Sequence, residues 1–114
     1  MDFSHDLLRL NNITKIFSNG DEPKTVLQNI NLSLSKNDSF SIVGPSGCGK
    51  TTLLLIIARL LPPTDGTIWM DGHSINMPDR KIALVLQHYG LLPWKTVAAN
   101  IMLGARLQKL KVDE

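Results

Sequence analysis

Residues Gly44 to Thr51 read Gly-Pro-Ser-Gly-Cys-Gly-Lys-Thr, with the glycines set ahead of one lysine and one hydroxyl. They satisfy the spacing G-x-x-x-x-G-K-[ST] in full. The chemistry such a run suits is phosphate binding. Glycines let the backbone bend tightly enough for successive N–H groups to point inward as an anion nest. A helix starting at Lys50 adds the positive end of its dipole. Lys50 has the reach to meet β- and γ-phosphates, and the Thr51 hydroxyl is a magnesium ligand by type. Gly44, Pro45, Ser46, Gly47, Cys48, Gly49, Lys50, Thr51 and Thr52 are therefore candidate nucleotide contacts. Lys50 is also a candidate catalytic residue, and Thr51 a candidate metal ligand. The bland alternative is a glycine-rich turn capping an ordinary helix. A strand leading in and a helix leading out weigh against it. Cys48 is expected to be inert, because the chemistry of the loop belongs to its backbone.

Several elements are needed to position that loop. Leu8 to Phe17 suits a half-buried strand. Asn19-Gly20 follows as the strongest turn signal in the chain. Val26 to Ser35 places Ile30, Leu32 and Leu34 two apart, which predicts a strand with one wet face. After the polar Ser35-Lys36-Asn37-Asp38, a third strand is expected over Phe40 to Val43. Lys50 to Leu61 predicts a helix, apolar nearly all round and so deeply buried. Thr67 to Ile75 reads as a short hairpin around Asp71-Gly72. Ile82 to Leu86 is a continuous apolar run, which predicts a strand buried on both faces. Gln87 to Trp94 reads as a loop. Thr96 is a candidate cap for a helix to about Leu110, with Val97, Ile101 and Ala105 on one stripe.

The 114 residues allow one modest domain, with 43% hydrophobic and 19% charged residues. A net charge of +2, scattered along the chain, does not argue for nucleic acid. A single cysteine excludes an internal disulfide and fits a reducing compartment. The N-terminus lacks the apolar core of a secretory signal. The longest apolar run, Leu53 to Leu61, is broken by Arg59 and is far short of the about 20 residues a membrane span needs. His5, His73 and His88 show no metal-ligand spacing.

Beyond the loop, the chain resembles the ATP-binding subunit of ABC transporters. Residues 41–72, "SIVGPSGCGKTTLLLIIARLLPPTDGTIWMDG", follow that family's order of phosphate loop, apolar helix, L-x-P-x-x-G-x-I and Asp-Gly turn. "NNITKIF" resembles its first strand, which ends in an aromatic, here Phe17. "LVLQHYGLLPWKTVAANI" resembles its glutamine loop, and the Leu91-Leu92-Pro93-Trp94 within it is most similar to importers of nitrate, sulfonates and taurine. The family usually has Gly-Glu where Asn37-Asp38 stand, glycine at Arg59, and a basic residue near Leu55.

The resemblance implies an α/β fold, a P-loop NTPase (ABC ATPase) core with an N-terminal antiparallel β-subdomain, incomplete. Residues 1–114 would be the N-terminal part of the domain, from β-subdomain to glutamine loop. It implies ATP and Mg2+ as ligands, with Phe17 stacking on adenine; the alternative for Phe17 is a core residue at a strand end. It implies that Gln87 touches magnesium or the attacking water, and so acts as a catalytic and metal-facing residue; the alternative is a polar residue closing a strand. Trp94 would touch the membrane subunit or lie in the core. The implied partners are a transmembrane permease subunit, a second ATP-binding subunit in a homodimer and, indirectly, a solute-binding protein. The implied location is the cytoplasmic face of the cell membrane, as a peripheral protein.

The family's L-S-G-G-Q signature, its Asp-Glu strand and its switch histidine do not occur in the 114 residues. Phosphoryl transfer is positioning plus charge stabilisation. This chain alone is therefore expected to fold poorly, with an unpaired apolar edge along Phe40 to Val43, and to hydrolyse little ATP. Two classes remain open: part of a transport ATPase for a small solute, or a non-catalytic nucleotide-binding remnant or interaction module. A soluble ABC protein working without a membrane is a weaker third.

Overall fold

A computed structural model describes residues 5–109. The chain divides into two compact units, Met1–Asp79 and Arg80–Glu114. The first unit is built on a four-stranded antiparallel sheet. Its strands are β1 (Asp6–Phe17), β2 (Lys24–Ser35), β3 (Asp65–Met70) and β4 (His73–Ile75), in the order β2-β1-β3-β4. The helix α1 (Lys50–Ile57) belongs to the same unit.

The core is made by Leu10, Ile13, Leu27, Leu53, Ile56 and Ile68. Leu10 and Ile13 are both buried although they lie three apart, an odd spacing that strict alternation forbids. A bulge resolves the conflict. The register with β2 slips between Leu10 and Ile13, and Asn12 turns left-handed at φ 51°. Asn29 does the same in β2 at φ 49°, between buried Leu27 and half-buried Ile30. The displaced amides find side-chain partners. Asn12 N donates to Asn31 Oδ1 at 3.0 Å, and Asn29 N donates to Thr14 Oγ1 at 3.1 Å. Beyond Asn29 the expected alternation holds, with Ile30, Leu32 and Leu34 half-buried and Asn31, Ser33 and Ser35 exposed. At the start of β1, Arg9 Nη1 donates to Asp6 Oδ2 at 2.9 Å. A hydrogen bond from Ser33, aided by Arg9, holds the Asp6 carboxyl below its usual range.

The hairpin around Asp71-Gly72 forms as the sequence predicts, with Asp71 at φ 48° and Gly72 at φ 78°. Helix α1 starts at Lys50 as expected but ends at Ile57 rather than Leu61. Arg59 then takes φ 58°, and its N–H bonds to Ile56 O at 3.0 Å, a left-handed helix ending of the kind glycine normally supplies. The helix is not buried all round. Leu53 and Ile56 enter the core, while Leu54 is exposed.

Two expected strands do not form. Residues 40–43 and 82–86 pair with no neighbour among the described residues. Val43 is 90% exposed and Val85 85%. Apolar, β-prone composition states what a segment would gain from burial, but a strand exists only with a ladder partner to take its N–H and C=O groups. The unpaired apolar edge expected at Phe40 to Val43 thus takes the form of an exposed, unpaired segment.

The second unit holds α2 (Val97–Leu107) and the segment before it. Thr96 caps the helix, its hydroxyl accepting from Ala99 N at 3.1 Å, as its position predicts. The helix ends at Leu107, and Leu110 lies outside the described residues. The Val97/Ile101 stripe is exposed, at 78% and 77%.

Candidate functional site

Gly47 and Gly49 both take left-handed backbone, at φ 81° and φ 102°, while Cys48 between them does not. Alternation of this kind turns successive N–H groups to one side and makes an anion-binding concavity. Cys48 N also bonds back to Pro45 O at 3.3 Å, closing the turn. Two close approaches explain the remaining glycine demand. A Cβ on Gly44 would stand 2.7 Å from Cys48 Sγ. A Cβ on Gly49 would stand 3.0 Å from both Val26 and Leu27 of β2. The loop is therefore seated on β2.

Helix α1 begins without a side-chain cap and without an acidic residue in its first turn. Its first amides have no intrahelical acceptor, since the bonding ladder starts with Leu53 N to Gly49 O at 2.9 Å. The positive dipole end is thus left uncompensated by the chain itself. Lys50 adds a cation at the same place. Its ammonium donates to Gly44 O and, at 2.9 Å, to Pro45 O, with Cys48 Sγ at 3.7 Å. The lysine is a strut across the loop mouth. Thr51 is exposed beside it, and Thr52 is half-buried. Ser46 and Cys48 are exposed. Together these residues offer an alternating backbone, free helix amides, one ammonium and one free hydroxyl, which is a donor set for a polyphosphate and its divalent cation.

Phe17 ends β1 opposite Lys24, and Thr25 and Leu27 of β2 stand opposite Ile16 and Lys15. Val26 and Leu27 are the residues Gly49 rests on. Phe17 and the phosphate loop therefore share one end of the β1–β2 pair, about 7–10 Å apart along β2 at the usual strand rise. Phe17 is half-buried and lies outside the core cluster. Gln87 belongs to the second unit, where it is exposed in a turn closed by Tyr89 N to Leu86 O at 3.0 Å. Trp94, also in that unit, is 75% exposed and is not a core residue. Among the described residues no group of three or more His, Cys, Asp or Glu could hold a metal. No helix among them is long and apolar enough to cross a membrane.

Residue typing by spacing misses Asn100. Its Oδ1 accepts from Leu92 N at 2.8 Å. Its Nδ2 donates to Leu92 O at 3.1 Å, Lys95 O at 3.3 Å and Thr96 O at 2.9 Å. One side chain thus ties the Leu91–Trp94 loop to α2. The one sequence signal is an amide one turn inside a mostly apolar helix. Asn100→Ala is expected to leave the Leu92 amide without its acceptor, at about 1–3 kcal/mol. Hydrogen exchange at Leu92 should then accelerate about tenfold or more, while exchange in β1 stays unchanged.

The sequence pattern of the ABC transporter family matches residues 27–114. The chain is similar to MJ0412, an uncharacterized ABC transporter ATP-binding protein of Methanocaldococcus jannaschii, with 44% identity over 108 residues, 94% of this chain and 40% of that protein. It is similar to the aliphatic sulfonates import ATP-binding protein SsuB of Bacillus cereus, with 45% identity over 105 residues, 92% of this chain and 42% of that protein. The taurine import ATP-binding protein TauB of Roseobacter denitrificans is 40% identical over 110 residues, 94% of this chain and 41% of that protein. Among solved structures, the chain is similar to the dimeric structure of MJ0796, a bacterial ABC transporter cassette, with a TM-score of 0.83 and 32% identity over 94% of this chain and 50% of that one. The same cassette bound to ADP and Pi superposes with a TM-score of 0.82. The chain spans about two fifths of the length of the curated relatives it matches. On the family match and the shared fold, this chain belongs to the ABC transporter family.

Proposed function

We propose that this chain is part of the ATP-binding subunit of an ABC importer for a small solute, such as nitrate, a sulfonate or taurine. The observation that carries the proposal is the placing of Phe17 and the phosphate loop at one end of the β1–β2 pair. An aromatic ring at one side and a polyphosphate nest at the other suit a nucleoside triphosphate, base to γ-phosphate. Phe17 stacks on the base, and the amides of Gly47 to Thr52 together with the Lys50 ammonium hold the phosphates. Thr51 supplies an oxygen ligand for Mg2+, which when bound neutralises charge on the β- and γ-phosphates. Gln87 takes the metal- or water-facing role of a glutamine loop; its neutral amide adds no charge there.

The relatives named for sulfonate and taurine import support an importer, and the dimeric cassette supports a working pair of subunits. The exposure of Trp94 supports a contact with a permease subunit rather than a place in the core. A solute-binding protein would then deliver the cargo, and the protein would sit peripherally on the cytoplasmic face of the membrane. Segments 40–43 and 82–86 are proposed to find ladder partners in the rest of such a domain.

Cys48 reports on this directly, being exposed and inside the loop. ATP with Mg2+ is expected to slow its reaction with a thiol reagent roughly tenfold at saturation, in proportion to the free fraction of sites. Equal labelling rates with and without ATP would count against nucleotide binding at this loop.

A further inference from the structure

Lys15 precedes Phe17 by two residues, and its ammonium has two neighbours on the same side of the strand end. It donates to Pro62 O at 2.7 Å, across a sequence gap of 47 residues. It also stands over the Phe17 ring, 5.2 Å from the centroid. That distance is within the range in which a cation is drawn to an aromatic face.

The anchor is stiff. Pro62 and Pro63 both have restricted backbones. The next residue, Thr64, brackets Lys15 on both sides: its N–H donates to Thr14 O at 2.8 Å, and its hydroxyl accepts from Ile16 N at 2.9 Å. The ammonium is therefore held by a rigid segment that is itself tied to the strand, and it fixes one face of the Phe17 ring.

We propose that Lys15 is a positioning residue for the nucleotide base: anchored on Pro62 O, it holds the Phe17 ring with one face covered and offers the opposite face for stacking. A cation on one face also withdraws density from the ring, which favours stacking by an electron-rich purine on the other. This rests on Phe17 being the base platform. Lys15 acts through Phe17 and needs no contact with the phosphates.

The test separates the base from the phosphates. Binding of ATP and of inorganic tripolyphosphate, each with Mg2+, is measured by titration for the unaltered protein and for Lys15→Met, Lys15→Arg and Phe17→Ala, with thermal melts as the check on folding. Lys15→Met is expected to weaken ATP roughly three- to tenfold and leave tripolyphosphate within about twofold. Lys15→Arg, which keeps the cation, is expected to restore most of the ATP affinity. Phe17→Ala is expected to weaken ATP at least as much as Lys15→Met, again sparing tripolyphosphate. Equal losses for both ligands in Lys15→Met would overturn the proposal, since Lys15 would then act through charge at the phosphates or through the fold. A large effect of Phe17→Ala with none of Lys15→Met would overturn it while leaving the base platform in place. No effect of Phe17→Ala would remove the platform itself, and the proposal with it.

Discussion

Under the proposed function, Lys50→Ala is expected to lower ATP turnover by an assembled transporter by about 10²–10³, the loss typical of one positioned charge-stabilising donor. Two effects combine in that variant. The cation proposed to meet the β- and γ-phosphates is removed, and so is the strut that ties the start of α1 to the Gly44 and Pro45 carbonyls. Lys50→Arg is not expected to rescue turnover. A planar guanidinium cannot place one compact charge between those two carbonyls. The fold should survive, because Lys50 is only half-buried and outside the core. A thermal melt within a few degrees of the unaltered protein, together with lost phosphate release, is the expected pair of results. Turnover within tenfold of the unaltered protein would contradict the role assigned to Lys50.

The largest effect on stability is expected from Gly66→Ala. Gly66 has φ 97°, and a Cβ there would stand 2.4 Å from Asn12 O and 2.7 Å from Asn11 O. Both obstacles are backbone, so neither can rotate away. The cause is the bulge in β1: by turning Asn12 left-handed, it brings that stretch of chain against β3 at Gly66. Strained backbone costs about 1–3 kcal/mol, and the clash adds to it. A total of about 3 kcal/mol or more is a large part of the 5–15 kcal/mol that holds a typical domain. Gly72→Ala is the control. It shares a positive φ, 78°, but has nothing within 4 Å of the added Cβ. Only the conformational term applies there, about 1 kcal/mol. Urea midpoints for the two variants should therefore differ clearly, with Gly66→Ala the lower.

What the sequence made legible was local. The start of α1 at Lys50, the Thr96 cap and the Asp71-Gly72 hairpin each depend on residues within a few positions of one another, and each appears where expected. The bulges at Asn12 and Asn29 were hidden because they work by breaking the period that signals a strand. Gly66 was visible as one position of a family pattern, but its reason lies on another strand, at Asn12. Segments 40–43 and 82–86 misled because an apolar run announces a wish for burial and not a ladder partner. Lys15 and Asn100 carry no spacing signal at all. Their roles arise from side chains meeting backbone carbonyls that the fold brings close, 47 residues away in the case of Pro62.

The central claim is that one nucleoside triphosphate is held between Phe17 and the Gly44–Thr52 loop. Calorimetric titration of ATP with Mg2+ into the protein and into its Lys50→Ala variant tests it most directly. The account predicts one ATP per chain, with affinity at least about tenfold weaker in Lys50→Ala at an unchanged circular dichroism spectrum, as expected when a charge-assisted contact is lost. Binding of equal strength in the two proteins, or none in the well-folded unaltered protein, would contradict it.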